Sequence, residues 1–150
     1  MRKLPAVLTV MAMAALGTAL PVSTAHAAAD CDNAWDGAEP TYMYAYDGAN
    51  CTGFLGKYAG WDSNWGDGIG HYEASATNKA SSILNKGTTL EAQFFNGTGT
   101  WTGGWICLSR SEGFASNLSD DKFSSGATVN NAISSHRFVT GPTCGNEWAD

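Results

Sequence analysis

Positive charge is scarce in this sequence. Of 150 residues, 15% are charged, eight being Lys or Arg and fourteen Asp or Glu. No basic run occurs, which argues against a nucleic-acid partner, because phosphate binding needs clustered Lys and Arg. The same shortage argues against an anionic membrane surface. Also absent are a C-x-x-C pair, an H-E-x-x-H helix, a G-x-S-x-G elbow and a Gly-rich phosphate loop, so no motif points to catalysis. No segment keeps a 3.6-residue apolar period, and the expectation is that no helix exceeds about two turns.

What is present begins with an export signal. Arg2 and Lys3 precede an uncharged apolar stretch from Ala6 to Leu20, followed by small residues and breakers from Pro21 to Ala27. Ala25-His26-Ala27 fits the small-x-small pattern of a cleavage site, and the apolar run is shorter than the ~20 residues of a spanning helix. Cleavage after Ala27 would leave 150 − 27 = 123 residues, an ordinary single domain (28–150), secreted and extracellular. Its charge would be 6 − 14 = −8 once Arg2 and Lys3 are lost. A monomer is expected.

Four cysteines remain after cleavage: Cys31, Cys51, Cys107 and Cys144. An even count in an exported chain reads as two disulfides. Three pairings stay open from sequence. Cys31–Cys51 with Cys107–Cys144 would tie each chain end to the body nearest it.

Short alternating runs dominate the rest. Tyr42, Tyr44 and Tyr46 fall on one strand face, Met43 and Ala45 on the other. Leu90, Ala92 and Phe94 alternate with Glu91 and Gln93, while Trp105-Ile106-Cys107-Leu108 reads as buried on both faces. His136 to Thr140 is a further β-prone run. An internal repeat orders these runs. Tyr46-Asp47-Gly48 matches Phe95-Asn96-Gly97, and Thr77-Asn78-Lys79-Ala80-Ser81-Ser82 matches Asn130-Asn131-Ala132-Ile133-Ser134-Ser135, at offsets of 49 to 53. A half this short cannot bury a core alone, but two halves packed face to face can.

These residues resemble the βγ-crystallin fold. Its Greek keys carry an aromatic-x-Gly in the first hairpin and a polar Asn/Asp-Asn/Asp-x-x-Ser/Thr-Ser loop before the last strand. The second loop matches at every position, and the first departs at Thr77. The resemblance implies an all-β sandwich of two Greek-key motifs, about 41–87 and 88–140. The exported, two-disulfide plan, with Asn64-Trp65-Gly66-Asp67 and Ser134-Ser135-His136-Arg137, is also similar to the secreted microbial metalloproteinase-inhibitor family of that fold.

The resemblance implies calcium as a cofactor, held by Asn130, Asn131 and Ser134 of one loop and Asn78 and Ser81 of the other, the loops completing each other's sites. Asn in place of Asp and the neighbouring Lys79 would make such sites weak. The competing reading is that Asn and Ser merely bond backbone groups in the turns. Asp62-Ser63-Asn64-Trp65-Gly66-Asp67 imitates an EF-hand loop, but Asp67 replaces the required Gly, so an acidic, Trp-bearing surface loop is expected. His71 and His136 read as surface or turn residues, and Asp120-Asp121 as a solvated turn. Trp101 and Trp105 read as core cover in strand context. Trp61 and Trp65 stay open between core and an exposed binding platform.

The expected function is therefore non-enzymatic: inhibition of an extracellular protease, of the metalloproteinase class, by tight reversible binding. The reactive site is unknown. The candidate surfaces are the irregular stretches Gly56–Tyr72 and Arg110–Thr128. The alternatives are a calcium-binding structural or stress module and a secreted killer-toxin-like protein.

Overall fold

A computed structural model describes residues 25–69, 72 and 76–150. The expected export signal, residues 1–27, falls almost wholly outside these residues, and His71 lies outside them as well. The described residues open with helix α1 (Ala25–Gly37) and continue through β1 (Met43–Gly48), β2 (Thr52–Tyr58), β3 (Ser82–Asn85), β4 (Glu91–Phe95), β5 (Trp105–Leu108), β6 (Phe114–Ala115) and β7 (Ser135–Val139). A short 3-10 turn, Gly141–Cys144, follows β7. All pairings between named strands are antiparallel. They form one sheet of order β2-β1-β3-β6 and another of order β5-β4-β7.

The two sheets are assembled by exchange. β6 belongs to the second half by sequence but pairs with β3 of the first, Ala115 opposite Ile83. Reciprocally, Asp62 of the first half bridges His136 on β7. The offsets agree: 115 − 62 = 53 and 136 − 83 = 53. Each half thus lends its third strand to the other half's sheet, and on one side that strand has shrunk to a single bridge. The inward faces carry Met43, Ala45, Ile83, Ala92, Phe94, Ile106 and Leu108, all in one buried cluster. Full burial of a side chain of Leu, Ile, Phe or Met size contributes about 1.5–3 kcal/mol. The alternation in β1 reads out in full, with Met43 and Ala45 inward and Tyr44 and Tyr46 outward; in β4, Ala92 and Phe94 face inward, while Leu90, just before the strand, lies outside the core cluster.

One outward face is covered by α1, and the residues after β7 cover the Cys107 and Val139 end of the other. Trp35, Ala34 and Ala38 from the α1 region pack on Tyr44, Tyr46 and Leu84. Near the other end, Cys107 N–H donates to Glu147 O at 2.9 Å and Ala149 N–H to Cys107 O at 2.8 Å, closing the open edge of β5. Each cover is stapled, by Cys31–Cys51 and by Cys107–Cys144, and no cysteine is free. This is the pairing in which each end is tied to its nearest neighbour in sequence.

The 13-residue α1 overturns the expectation of no helix beyond two turns. The run Ala25 to Ala29 is almost all alanine, the best helix former, and Ala34 adds to it. The same alanine-rich composition also fits the end of an export signal, so the helix is not legible from it. Trp105 is a second correction. It stands on β5 but faces outward and is 36% exposed.

The aromatic-x-Gly signature has a steric cause. A Cβ on Gly48 would lie 2.2 Å from Thr52 Oγ1, and one on Gly97 would lie 2.5 Å from Thr102 O. The returning hairpin strand leaves no room for a side chain there. We expect oxidation of the four cysteines to remove four hydrogens from the mass. The Cys107→Ala/Cys144→Ala variant should lose about 2–5 kcal/mol of stability. Mass spectrometry with and without reductant checks the first, and thermal melts of the variant check the second.

Candidate functional site

The two polar loops meet. Asn78 N–H donates to Ile133 O at 2.8 Å, and Asn131 N–H to Ala80 O at 2.9 Å, a matched pair of crossings. Ser134 Oγ donates to Asn78 Oδ1 at 2.9 Å, and Ser81 Oγ to Asn131 Oδ1 at 3.1 Å. Thr77 Oγ1 adds a third bond, to Ser134 Oγ at 3.0 Å. Asn78 and Asn131 have φ of 57° and 56°, the left-handed region that asparagine tolerates better than most residues. This accounts for Asn at the second place of both loops. Four of the five proposed ligands are thus brought into two pairs, while Asn130 enters neither pair and bonds by its backbone to Leu118. The donors suit calcium in type, being hard oxygens, but all are neutral. Among the described residues no cluster of three acidic, His or Cys side chains could hold a metal.

Around the crossing sits a buried aromatic knot. Trp65 is fully buried, stacked on Tyr72 with ring centroids 4.3 Å apart. Its Nε1–H donates to His136 Nδ1 at 2.9 Å. His136 Nε2–H is thereby left to meet Gly60 O at 3.2 Å, which fixes the neutral tautomer. The ring also touches Tyr58, Phe94 and Phe138. His136 is therefore a core residue, contrary to the surface reading, and Trp65 resolves to core as well. Sequence gave no sign of this, because a lone histidine beside Ser and Arg looks solvated.

The Asp62 segment is a chain of turns. Asp62 Oδ1 accepts from Asn64 N–H at 2.9 Å, Asn64 Oδ1 from Gly66 N–H at 3.0 Å, and Asp67 Oδ1 from Ile69 N–H at 2.9 Å. These side chains serve the backbone, as Asp and Asn do in turns. The segment is pinned by the Asp62–His136 bridge, by Trp65 N–H to Ser134 O at 2.9 Å, and by Gly99 N–H to Ser63 O at 2.8 Å. From this anchored frame Trp61 is 66% exposed and Ile69 76%.

Trp61 also walls a cleft of ≈ 800 Å³ with Trp101, Arg137, Phe138 and Leu90. Trp61 and Trp101 meet edge to face at 6.0 Å, and the Arg137 guanidinium lies 5.4 Å from the Trp101 and Phe95 ring centres. Trp101 is not in a strand, contrary to expectation. It sits in the β4–β5 hairpin at φ 58°, an uncommon conformation for a bulky residue.

Two acids are also more buried than expected. Asp121 is buried while its neighbour Asp120 is exposed, which corrects the solvated-turn reading. Burial, with Asp150 and Asp120 adding, pushes its carboxyl up to about 6. Burial likewise raises Asp62, with Asp67 adding. His136 moves the other way, held down at about 3 by burial, against the opposing pull of Gly60.

The pH dependence follows. An unfolded histidine protonates near 6.5, whereas the native His136 stays neutral to about 3. Its stabilising effect is whole above 6.5 and is lost as pH falls through that window, at up to about 1.4 kcal/mol per pH unit. Asp121 acts oppositely: its native pKa exceeds the unfolded value, so its contribution is present in acid and lost as pH rises through about 6. We expect a nitrogen-15 NMR titration to show neutral His136 at pH 5. Asp121→Asn should raise the melting temperature at pH 7 more than at pH 4.

No family model and no curated protein matches the chain. A structure solved to trace the evolution of the eye-lens βγ-crystallin domain fold superposes with a TM-score of 0.53 at 19% identity, over 69% of this chain and 89% of that one. A βγ-crystallin from an archaeon superposes with a TM-score of 0.49 at 21% identity, over 67% of this chain and 100% of that one. With two Greek keys exchanging their third strands and two Asn/Ser loops crossing between them, the chain has the βγ-crystallin fold.

Proposed function

We propose that this is an exported, non-catalytic binding protein that inhibits an extracellular metalloproteinase by tight reversible association. The two disulfides suit an oxidising compartment. The observation that carries the reading is the loop after β2. Its backbone is bonded to β7 and to the β4–β5 hairpin, yet it holds Trp61 and Ile69 out toward solvent. A loop already fixed in shape loses little entropy when a protease cleft closes on it. The other candidate, Arg110–Thr128, turns its large apolar residues inward: Leu118 and Phe123 are fully buried, and what it exposes is polar or small.

Titration of the protein against a panel of secreted zinc proteases is the test. Stoichiometric loss of activity with at least one enzyme is expected, and Ile69→Asp should weaken it by about tenfold or more, since a buried contact of this size is worth ~1.5–3 kcal/mol. Full protease activity at micromolar inhibitor would refute the reading.

The crossed loops favour a second reading, a calcium-binding module in which Asn78 with Ser134, and Asn131 with Ser81, would hold the ion. Binding to the native state alone would add about 2.7 kcal/mol at a hundredfold excess over Kd. The melting temperature should then rise by several degrees in calcium over chelator, and Ser134→Ala should reduce that shift more than it reduces stability in chelator. Equal melting temperatures in both would leave the loops as turn chemistry.

A further inference from the structure

The exchange of third strands is unequal, and the shortfall leaves an open strand edge. β6 pairs with β3 at two positions, whereas its counterpart on β7 is the single residue Asp62. His136 exchanges both backbone bonds with Asp62, N–H to Asp62 O at 2.8 Å and Asp62 N–H to His136 O at 3.0 Å. Antiparallel ladders alternate, so Arg137 turns its backbone groups to Gln93 on β4, and Phe138 turns its own outward again. No described residue pairs with the backbone of Phe138 on that side. The chain at Ala59 and Gly60 diverges from β7 there, and the cleft opens between them. A smaller cleft of ≈ 200 Å³, sharing Ala59, Leu90 and Phe138, continues it toward Thr41 and Thr89.

The walls state what the edge would accept. Trp61, Trp101 and Phe138 offer apolar faces. Arg137 bonds Gln93 Oε1 through Nε at 2.8 Å and stacks on two rings, but no carboxylate among the described residues pairs with it. A cation in an apolar cleft of an otherwise acidic protein is complementary to one carboxylate, and the guanidinium's fork suits it. The left-handed Trp101 backbone, costly for a bulky residue, sets its ring beside that cation.

We propose that this cleft binds an extended peptide segment of a partner protein. One residue of the segment pairs with the Phe138 backbone, completing the missing fourth strand of the sheet. An apolar side chain lies against Trp61 and Trp101, and a carboxylate meets Arg137. Recognition is by strand addition, with backbone bonds giving register and the two side-chain contacts giving preference. It does not rest on the inhibitory reading.

The test selects from a phage-displayed library of random dodecapeptides on the disulfide-intact protein, then adds the enriched synthetic peptide to nitrogen-15-labelled protein. Enriched sequences should place Asp or Glu near an aromatic or β-branched residue. The Phe138 amide should shift and exchange more slowly, while the His136 amide, already bonded to Asp62, should not. Arg137→Gln and Trp101→Ala should each weaken binding about tenfold or more, the loss of one charge-assisted bond or one ring contact. Phe54→Ala, on the other sheet, should not. Retained melting temperatures exclude misfolding, and Arg137→Lys should bind better than Arg137→Gln. Failure to enrich any sequence, or a bound peptide that leaves Phe138 exchange unchanged, would overturn the proposal. So would binding of uronate oligosaccharides in place of peptides, or a dimer formed through β7 by two copies of the chain.

Discussion

Each half of this chain is about fifty residues long, too short to enclose a core, and that shortage governs the architecture. A single three-stranded sheet would expose one apolar face. Facing the other half solves this, and exchange of the third strands makes the solution specific. The crossing loops lie at the centre of the exchange. Asn78 and Asn131 reach the opposite loop by backbone and side chain alike, so neither half can shift without breaking bonds in both. The Trp65–His136 bond performs a similar task deeper in the core, joining the first half's long loop to the second half's last strand.

Two inward faces packed together leave two outward faces wet. Helix α1 covers the first, the residues after β7 cover only the Cys107 and Val139 end of the second, and the two disulfides keep those covers in place. A terminal segment docked by few contacts would fray. Cys31–Cys51 holds α1 to the first hairpin, and Cys107–Cys144 holds the final turn to β5. Trp35 illustrates the gain: it packs beside Tyr44, Tyr46 and Leu84, and the Lys86 ammonium sits 3.8 Å over its ring. Such a cover is local and apolar, and it removes the tyrosine face from solvent.

The sandwich was legible because strand alternation and the repeat are properties of neighbouring residues. Met43 and Ala45 against Tyr44 and Tyr46 told one face from the other before any contact was known. The loops could also be aligned, since Asn at a left-handed position and Ser three and four residues on are local choices. What was not legible depended on distant partners. His136 is buried only because Trp65, 71 residues earlier, supplies a donor to its Nδ1 and Gly60 an acceptor for its Nε2. Asp121 is buried because the last residues fold back beside it. Trp101 looked like a strand residue because its neighbours are Thr and Gly, which hairpins and strands share. The helix was not legible for a different reason: an alanine-rich stretch reads equally as the end of an export signal or the start of a helix, and composition does not separate them.

The two halves differ most where the fold does not require it. Leu84 on β3 corresponds to Arg137 on β7 (84 + 53 = 137), and Tyr46 to Phe95 (46 + 49 = 95). In the first half these positions meet α1 and are sealed with apolar contacts. In the second half the apolar residue has become a cation, its neighbour Trp101 faces an open cleft, and the strand edge at Phe138 lacks a partner. A core substitution of Leu by Arg would be strongly destabilising if it were buried, because the charge would have to be paired. On this face it is tolerated because the side chain keeps contact with the cleft. A duplicated scaffold of this kind supplies its own control. The sealed face shows what stability alone selects at these positions, and the departures on the open face require a cause beyond stability. Arg137, Trp101 and the unpaired Phe138 edge all depart at one place, which is why that place is read as a binding site.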